Sequence, residues 1–161
     1  MPEFAFDTSG FVNGLAKHYR RAVLPGVWDA IGGAMVSGVI VAPSEVLVEI
    51  EKRADPDLYE WANDRAAAFL PPDPSWTLHF AEIEQHAPHW FAGTGTHDAD
   101  PFVVALAKAE GLTVVTYEGQ KFSGELSKIS TYKRSMPHIC AAMKVNVADV
   151  TDVLEHLGVV L

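Results

Sequence analysis

The chain has 161 residues, of which 48% are hydrophobic and 20% are charged. This composition is that of a folded domain and excludes a chain that is disordered throughout. The formal net charge of −9 argues against a nucleic-acid partner held only by contacts between basic side chains and phosphates. The length suits one domain, residues 1–161, with its own hydrophobic core.

The sequence contains no signal for membrane insertion or secretion. No apolar run approaches the roughly 18 residues of a membrane span, so we expect no membrane partner. The first residues lack a basic stretch followed by a long apolar stretch, so no secretory signal is predicted. The single cysteine, Cys140, cannot form an internal disulfide. A reducing, cytoplasmic location is therefore expected.

The first predicted elements follow from short apolar runs. Residues 4–6 are apolar and predict a buried strand that ends at Asp7. Helices are predicted over residues 11–19 and 28–36. Residues 39–42 then predict the second strand.

Two helices and a loop are predicted next. Residues 44–53 predict a helix with Ser44 as its N-cap, and Asp55 caps a second helix that runs toward residue 70. The proline-rich stretch 71–74 predicts a loop.

A further amphipathic helix is predicted from three apolar residues on one face: Trp76, Phe80 and Ile83. After a loop over residues 93–99, Asp100 is predicted as the N-cap of a helix with Pro101 in its first position. Gly111 is expected to end this helix.

The last elements complete the prediction of the fold. Residues 112–116 predict a third strand, residues 145–147 a short strand interrupted by Asn146, and residues 150–157 a final helix. Strands that alternate with helices favour an α/β fold. We therefore predict a three-layer α/β/α sandwich with a central, mostly parallel sheet.

Acidic residues follow the predicted strands. Ligands bind beyond the carboxyl ends of parallel strands, and Asp7 and Glu118 follow the first and third strands. Glu45 and Glu49 share one face of the helix after the second strand, and either suits the site. Asp100 begins the helix that leads into the third strand. Carboxylate oxygens are the ligands that Mg²⁺ or Mn²⁺ prefers, and two such ions can catalyse phosphodiester hydrolysis.

Each acid also has an interpretation that needs no ligand. Asp100 before Pro101 suits a helix N-cap, and Glu45 suits a first helical turn because it favours the helix dipole. Glu49 suits a solvent-facing position between apolar neighbours. Asp7 is the hardest to explain in this way, because a carboxylate beside a buried strand is costly unless it is liganded or hydrogen-bonded.

Four segments carry these acids in chain order: Phe6-Asp7-Thr8-Ser9, residues 41–50 with Glu49, residues 99–107 with Asp100, and Val115-Thr116-Tyr117-Glu118. In this order they resemble the motifs of the PIN-domain family, the metal-dependent nuclease fold of VapC-type toxins. The segments span nearly the whole chain, and their order and spacing make the resemblance specific. A PIN-like group of unknown function is similar also around Trp28, at the Glu45–Glu49 pair and in residues 136–140.

The resemblance implies a PIN-like fold and an endoribonuclease that hydrolyses RNA through metal-activated water. It also implies a toxin whose partner is a cognate antitoxin protein. The implied catalytic metal ligands are Asp7, Glu49, Asp100 and Glu118. Glu45 and Asp98 are secondary candidates, and Ser9 and Thr116 would position water or phosphate. The chain departs from the family pattern in two ways: Glu118 stands where an Asp is usual, and the connection over residues 61–97 is longer.

The basic residues that suit an RNA partner are concentrated in the last third of the chain. Residues 119–144 contain five Lys or Arg residues against one acidic residue, Glu125. The predicted RNA-binding residues are Lys121, Lys128, Lys133 and Arg134. A solvated basic loop explains the same pattern equally well.

A second copy of the chain, in a homodimer, is the other partner that the sequence suggests. Trp28, Ile31, Met35 and Val36 form an apolar helical stripe. This stripe indicates either core or a dimer interface, and core is the favoured interpretation.

Other functional classes fit the sequence less well. A zinc site would draw on His79, His86, His89 and His97, but Pro88 breaks any helix between them and no cysteine lies nearby. The segment 89–91 suits either base stacking or an apolar anchor. A phosphoacceptor domain would need paired acids after the first strand, and a dinucleotide-binding fold needs a glycine motif that the chain lacks. A PIN-like module that binds RNA or protein without catalysis remains the alternative to an enzyme.

Overall fold

A computed structural model describes residues 1–119 and 122–160. Its five strands form one sheet in the order β3-β2-β1-β4-β5, and all neighbouring strands are parallel. Their carboxyl ends therefore meet at one edge of the sheet. The strands are β1 (Phe4–Phe6), β2 (Ile40–Pro43), β3 (Phe69–Leu70), β4 (Thr113–Val115) and β5 (Val147–Ala148).

Helices flank the sheet, which confirms the predicted three-layer α/β/α sandwich. None of the helices described is both long and apolar enough to cross a membrane. The α-helices are α1 (Pro25–Val36), α2 (Ser44–Arg53), α3 (Pro56–Asn63), α4 (Pro74–Thr77), α5 (Phe80–His86), α6 (Asp100–Glu110), α7 (Met136–Ala142) and α8 (Val150–His156). A π-helical segment spans Gly10–Lys17, and 3₁₀ turns span Ala66–Ala68, Pro88–Phe91, Leu126–Lys128 and Thr131–Lys133.

The prediction of one helix toward residue 70 was wrong. α3 ends at Asn63, and Phe69 and Leu70 form the edge strand β3, which pairs with the carboxyl end of β2. A two-residue strand has no sequence periodicity, so pairing with β2 decides its conformation. The single helix predicted around Phe80 is also wrong, because the chain forms two short helices, α4 and α5.

Two predicted N-caps were also wrong. Ser44 is the first residue of α2, and the N-cap position belongs to Pro43, whose backbone is extended. Asp100 is the first residue of α6, and its carboxylate bonds to a side chain instead of capping the helix. The cap at Asp55 is confirmed, because its side chain accepts a hydrogen bond from the Leu58 N–H.

The core lies on both faces of the sheet, and its strands β1 and β2 are apolar and fully buried. Of the helical stripe in α1, Trp28, Ile31 and Met35 are buried, whereas Val36 is 79% exposed. Burial confirms the core interpretation for three of the four residues. The three buried residues are therefore not available to a second copy of the chain, and the homodimer stays a prediction.

Gly10 is where the π-helical segment passes closest to the sheet. A Cβ atom at Gly10 would lie 2.8 Å from the Val115 carbonyl oxygen and 3.4 Å from Asp7 Oδ1. Backbone cannot move aside cheaply, so we expect Gly10→Ala to lower the free energy of unfolding by about 1–3 kcal/mol.

Gly33 supplies the matched control for this substitution. It is an exposed position in α1, and a Cβ atom there would meet nothing within 4 Å. Gly33→Ala should raise the free energy of unfolding by about 0.5–1 kcal/mol, because alanine favours a helix more than glycine does. Urea denaturation measures both variants. Equal stability of the two would show that the close approach at Gly10 does not constrain the fold.

Candidate functional site

Asp7 lies at the carboxyl end of the central strand β1. Its N–H donates to the Val115 carbonyl at 3.0 Å, which extends the pairing with β4 by one residue. The side chain is only 1% exposed. Oδ1 accepts hydrogen bonds from Ser9 Oγ at 2.8 Å and from the Gly10 N–H at 2.7 Å, whereas Oδ2 is buried without a partner. One oxygen of Asp7 is thus fixed and the other is left for a ligand.

Glu49 reaches the same edge of the sheet from α2 and is 5% exposed. Its Oε1 accepts a 2.6 Å hydrogen bond from Thr8 Oγ1. Its Oε2 lies 3.3 Å from Arg53 Nη2, a contact between opposite charges whose angles are outside hydrogen-bond geometry. The carboxylate therefore keeps a buried oxygen that no donor satisfies.

Glu45 was the competitor of Glu49 for this position. It lies one turn earlier in α2, is partly exposed, and receives only a long 3.4 Å hydrogen bond from Ser44. Glu49 lines the cavity at the sheet edge, whereas Glu45 is not among its lining residues. The position in the fold therefore favours Glu49 over Glu45.

Asp100 enters the site from the first turn of α6 and is 7% exposed. Its Oδ2 lies 2.8 Å from His97 Nδ1, and this hydrogen bond is the main reason why the pKa of His97 is raised. The partnership between His97 and Asp100 was missed at the sequence level, although their spacing of three residues allows it. The neighbouring Asp98 is exposed and lies outside the cavity lining.

Glu118 follows β4 and contributes the fourth carboxylate. As a residue it is exposed, but its carboxyl group turns inward and Oε2 accepts a 3.0 Å hydrogen bond from the Met136 N–H. This contact ties the carboxylate to the start of α7.

Ser9 and Thr116 connect the ends of β1 and β4. Ser9 Oγ donates to Asp7 and lies 3.1 Å from Thr116 Oγ1. The Tyr117 N–H donates to Ser9 Oγ at 2.9 Å, and the Glu118 N–H donates to Thr116 Oγ1 at 3.2 Å. These hydroxyls orient Asp7 and the backbone that carries Glu118, so they are positioning groups.

The four carboxylates influence one another electrostatically. Burial raises the pKa of Asp7 to about 8, and the charges of Glu118 and Asp100 add to the effect. Burial, followed by the charge of Asp100, also raises the pKa values of Glu49 and Glu118. The charge of Asp100 acts on all three groups, so these carboxylates lie in one low-dielectric region.

A cavity of about 350 Å³ is lined by Glu49, Asp100, Glu118 and Arg53, and by Thr8 and Ser9, which follow Asp7 in the chain. Asp7 itself is not a lining residue, and it is joined to the lining through the Ser9 hydroxyl. Carboxylate oxygens are hard ligands, and two of them, Asp7 Oδ2 and Glu49 Oε2, have no hydrogen-bond donor, which fits a divalent cation such as Mg²⁺ or Mn²⁺. Within residues 1–119 and 122–160, no three acidic, His or Cys side chains already have the spacing of a formed coordination sphere. The cluster therefore fits a cation by the kind of ligand atoms it offers and by their place in the fold, and not by a formed coordination geometry.

The four clustered histidines do not assemble a zinc site in the part of the chain that is described. His97 is engaged by Asp100, and its ring lies 5.4 Å from the His89 ring. Trp90 is buried and stacks on His97, and Phe91 packs edge-on against Phe80. The apolar-anchor interpretation of residues 89–91 therefore holds for these two aromatic side chains.

The predicted RNA-binding residues differ in whether their charged groups are engaged within the protein. Arg134 donates to the carbonyls of His86, Leu126 and Ile129, so its guanidinium is committed to holding this segment together. Lys133 is exposed, and Lys128 is exposed but lies 3.5 Å from the Glu125 carboxylate. Lys121 lies outside the described residues.

A larger cavity, about 660 Å³, lies beside the ends of β4 and β5 and is lined in part by Asp149 and Asp152. These two acids accept hydrogen bonds from each other's backbone N–H groups at the start of α8. Their carboxylates form the cap of that helix. We therefore place the functional site at the smaller cavity, where unpartnered acidic groups lie.

Comparison with known proteins identifies a family. No curated protein and no solved structure matches the chain. One family model, described as "Domain of unknown function (DUF4411)", matches residues 4–161. Because this match covers nearly the whole sequence, the chain belongs to that family.

Proposed function

We propose that the protein is an Mg²⁺- or Mn²⁺-dependent endoribonuclease. The observation that carries this proposal is the meeting of four acidic side chains, from four different parts of the chain, at the carboxyl edge of a parallel sheet. Two of their buried oxygens have no hydrogen-bond partner. The resemblance of the four surrounding segments to PIN-domain motifs supports RNA as the substrate.

Asp7, Glu49, Asp100 and Glu118 would hold the cation. A divalent cation bound there would activate water for attack on a phosphodiester and neutralise the leaving oxygen. Buried carboxylates in one region are costly without a cation, because burial and the charge of Asp100 raise the pKa values of Asp7 and Glu118. The same repulsion that destabilises the empty cluster favours cation binding.

The surrounding side chains would fix the geometry of these carboxylates. Thr8 holds one oxygen of Glu49, and Ser9 holds one oxygen of Asp7. His97 occupies Oδ2 of Asp100, which leaves its other oxygen for the cavity. Such partners orient metal ligands and tune their basicity. Arg53 lines the cavity and supplies the positive charge that a scissile phosphate would meet.

Metal-dependent cleavage of total cellular RNA by the purified protein tests this proposal. We expect RNA fragments with Mg²⁺ or Mn²⁺, none with a chelator, and none with Asp7→Asn in either condition. Activity of the variant equal to that of the wild type would indicate a contaminating nuclease. Absence of cleavage above the variant with both ions would favour the alternative, a PIN-like module that binds RNA or protein without catalysis.

We further propose that the nuclease is the toxin of a toxin–antitoxin pair in the cytoplasm. The resemblance to VapC-type toxins supports this role, and the cognate antitoxin would be its protein partner. Induced expression of the wild type should stop bacterial growth, and Asp7→Asn expressed to the same level should not. Unimpaired growth with the wild type would remove the toxin role and leave the nuclease proposal standing.

A further inference from the structure

A second cavity, of about 480 Å³, lies beside the carboxylate cavity. Thr96 and His97 line both cavities, so the two share a wall. His89 and Tyr132 line the second cavity only. A ligand that has one part at the carboxylates can therefore place its next part here.

The walls of this second cavity are rings and hydroxyls. The His89 ring lies 5.4 Å from the His97 ring and 6.0 Å from the Tyr132 ring. Tyr132 is 76% exposed, so one face of its ring is open to a planar ligand. Aromatic and histidine rings are the surfaces on which unstacked RNA bases pack.

His89 is held in the cavity wall by a hydrogen bond. Its Nε2 lies 3.2 Å from the Arg134 carbonyl, which only an N–H can satisfy. Its Nδ1 is buried, so a ligand in the cavity contacts the ring and not this nitrogen.

The segment that carries Tyr132 is braced from within. Arg134 donates to the carbonyls of Leu126 and Ile129 in its own segment. It also donates to the carbonyl of His86, at the end of α5. A ring held on a braced segment loses little freedom when a ligand packs against it. Lys133, next to the ring, is exposed and supplies a positive charge for an adjacent phosphate.

We propose that the cavity between Tyr132, His89 and His97 binds one nucleobase of single-stranded RNA, next to the carboxylate cavity. This inference rests on the proposed function, because it assigns the strandedness of the same substrate. A base inside a duplex is stacked on both faces and cannot enter. The substrate is therefore an unpaired region, such as a loop or a single-stranded end.

Binding of a short fluorescent single-stranded RNA of mixed sequence, measured by anisotropy in EDTA and low salt, tests the inference. Tyr132→Ala should bind about 10-fold more weakly than the wild type, because the open ring is lost. Tyr132→Phe keeps the ring and should bind within about twofold of the wild type. Val36→Ala removes an exposed apolar group at the opposite edge of the sheet and should bind like the wild type.

Duplex RNA of the same sequence should bind more weakly and be insensitive to Tyr132→Ala. Three results would overturn the inference: no binding by the wild type, equal affinity of wild type and Tyr132→Ala, or an equal loss with Tyr132→Phe. Tighter binding of the wild type to duplex RNA than to single-stranded RNA would also overturn the inference. Chelation removes cleavage from the assay, so a failed base site and a failed nuclease activity are seen in separate experiments.

Discussion

Asp7→Asn should abolish metal-dependent RNA cleavage, with a loss of more than about 100-fold, and at the same time stabilise the metal-free protein. Asn keeps an oxygen for the Ser9 and Gly10 donors but removes the negative charge at the unpartnered Oδ2. A structural defect would lower stability and activity together. A loss of activity together with a gain in stability would show that Asp7 is a metal ligand whose charge is unfavourable without the cation.

The pH dependence of stability gives the sign of this effect. Asp7 has a pKa of about 8 in the folded protein, above the ordinary value of 3.8. Between these two values the folded chain binds more protons than the unfolded chain, so the free energy of unfolding falls as pH rises. Glu49 and Glu118, whose pKa values are also raised, act in the same direction.

Thermal or urea denaturation in EDTA between pH 5 and pH 8 measures this prediction. The wild type should lose stability across the range, and Asp7→Asn should lose less and be more stable by about 1–3 kcal/mol at pH 8. Mn²⁺ should restore the wild type and leave the variant unchanged. A variant that is less stable than the wild type in EDTA would show that the carboxylate supports the fold rather than a cation.

Glu49→Gln and Glu45→Gln form a matched pair on one helix, and only the first should inactivate the enzyme. Both replace a carboxylate by an amide of the same shape, one turn apart in α2. Glu49 is buried and lines the acidic cavity, whereas Glu45 is partly exposed and lies outside its lining. We expect a loss of more than about 100-fold for Glu49→Gln and a change within about twofold for Glu45→Gln.

Initial rates of cleavage of one fluorescent RNA at saturating Mn²⁺ compare the pair. The Thr8 hydroxyl can still donate to the amide oxygen in Glu49→Gln, so the local fold should survive and circular dichroism should be unchanged. If Glu45→Gln is the inactive variant, the second ligand is misassigned. Equal activity of both variants with the wild type would remove α2 from the site.

The sequence is sufficient for those parts of the fold that local chemistry determines. The apolar run of β1 and the end of α6 at Gly111 were predicted because burial and a left-handed glycine leave clear marks. β3 was missed because its two residues become a strand only by pairing with β2. The π-helical form of Gly10–Lys17 has no sequence pattern of its own and depends on packing against the sheet.

The candidate site, too, could be predicted only where local sequence determines it. The positions of Asp7 and Glu118 after strands could be predicted, because parallel strands end at one edge. The choice between Glu45 and Glu49 required the orientation of α2 relative to the sheet. The hydrogen bonds of Arg134 could not be predicted, because one carbonyl partner, that of His86, lies 48 residues away in the sequence and only the fold brings it near.

Titration of the protein with Mn²⁺, followed by electron paramagnetic resonance, tests the central claim most directly, because bound Mn²⁺ loses the sharp signal of the free ion. The four carboxylates should give saturable binding that Glu45→Gln retains and that Asp7→Asn and Glu49→Gln each lose. Binding that is absent in the wild type, or that survives both of the latter substitutions, would contradict a cation site at this cluster.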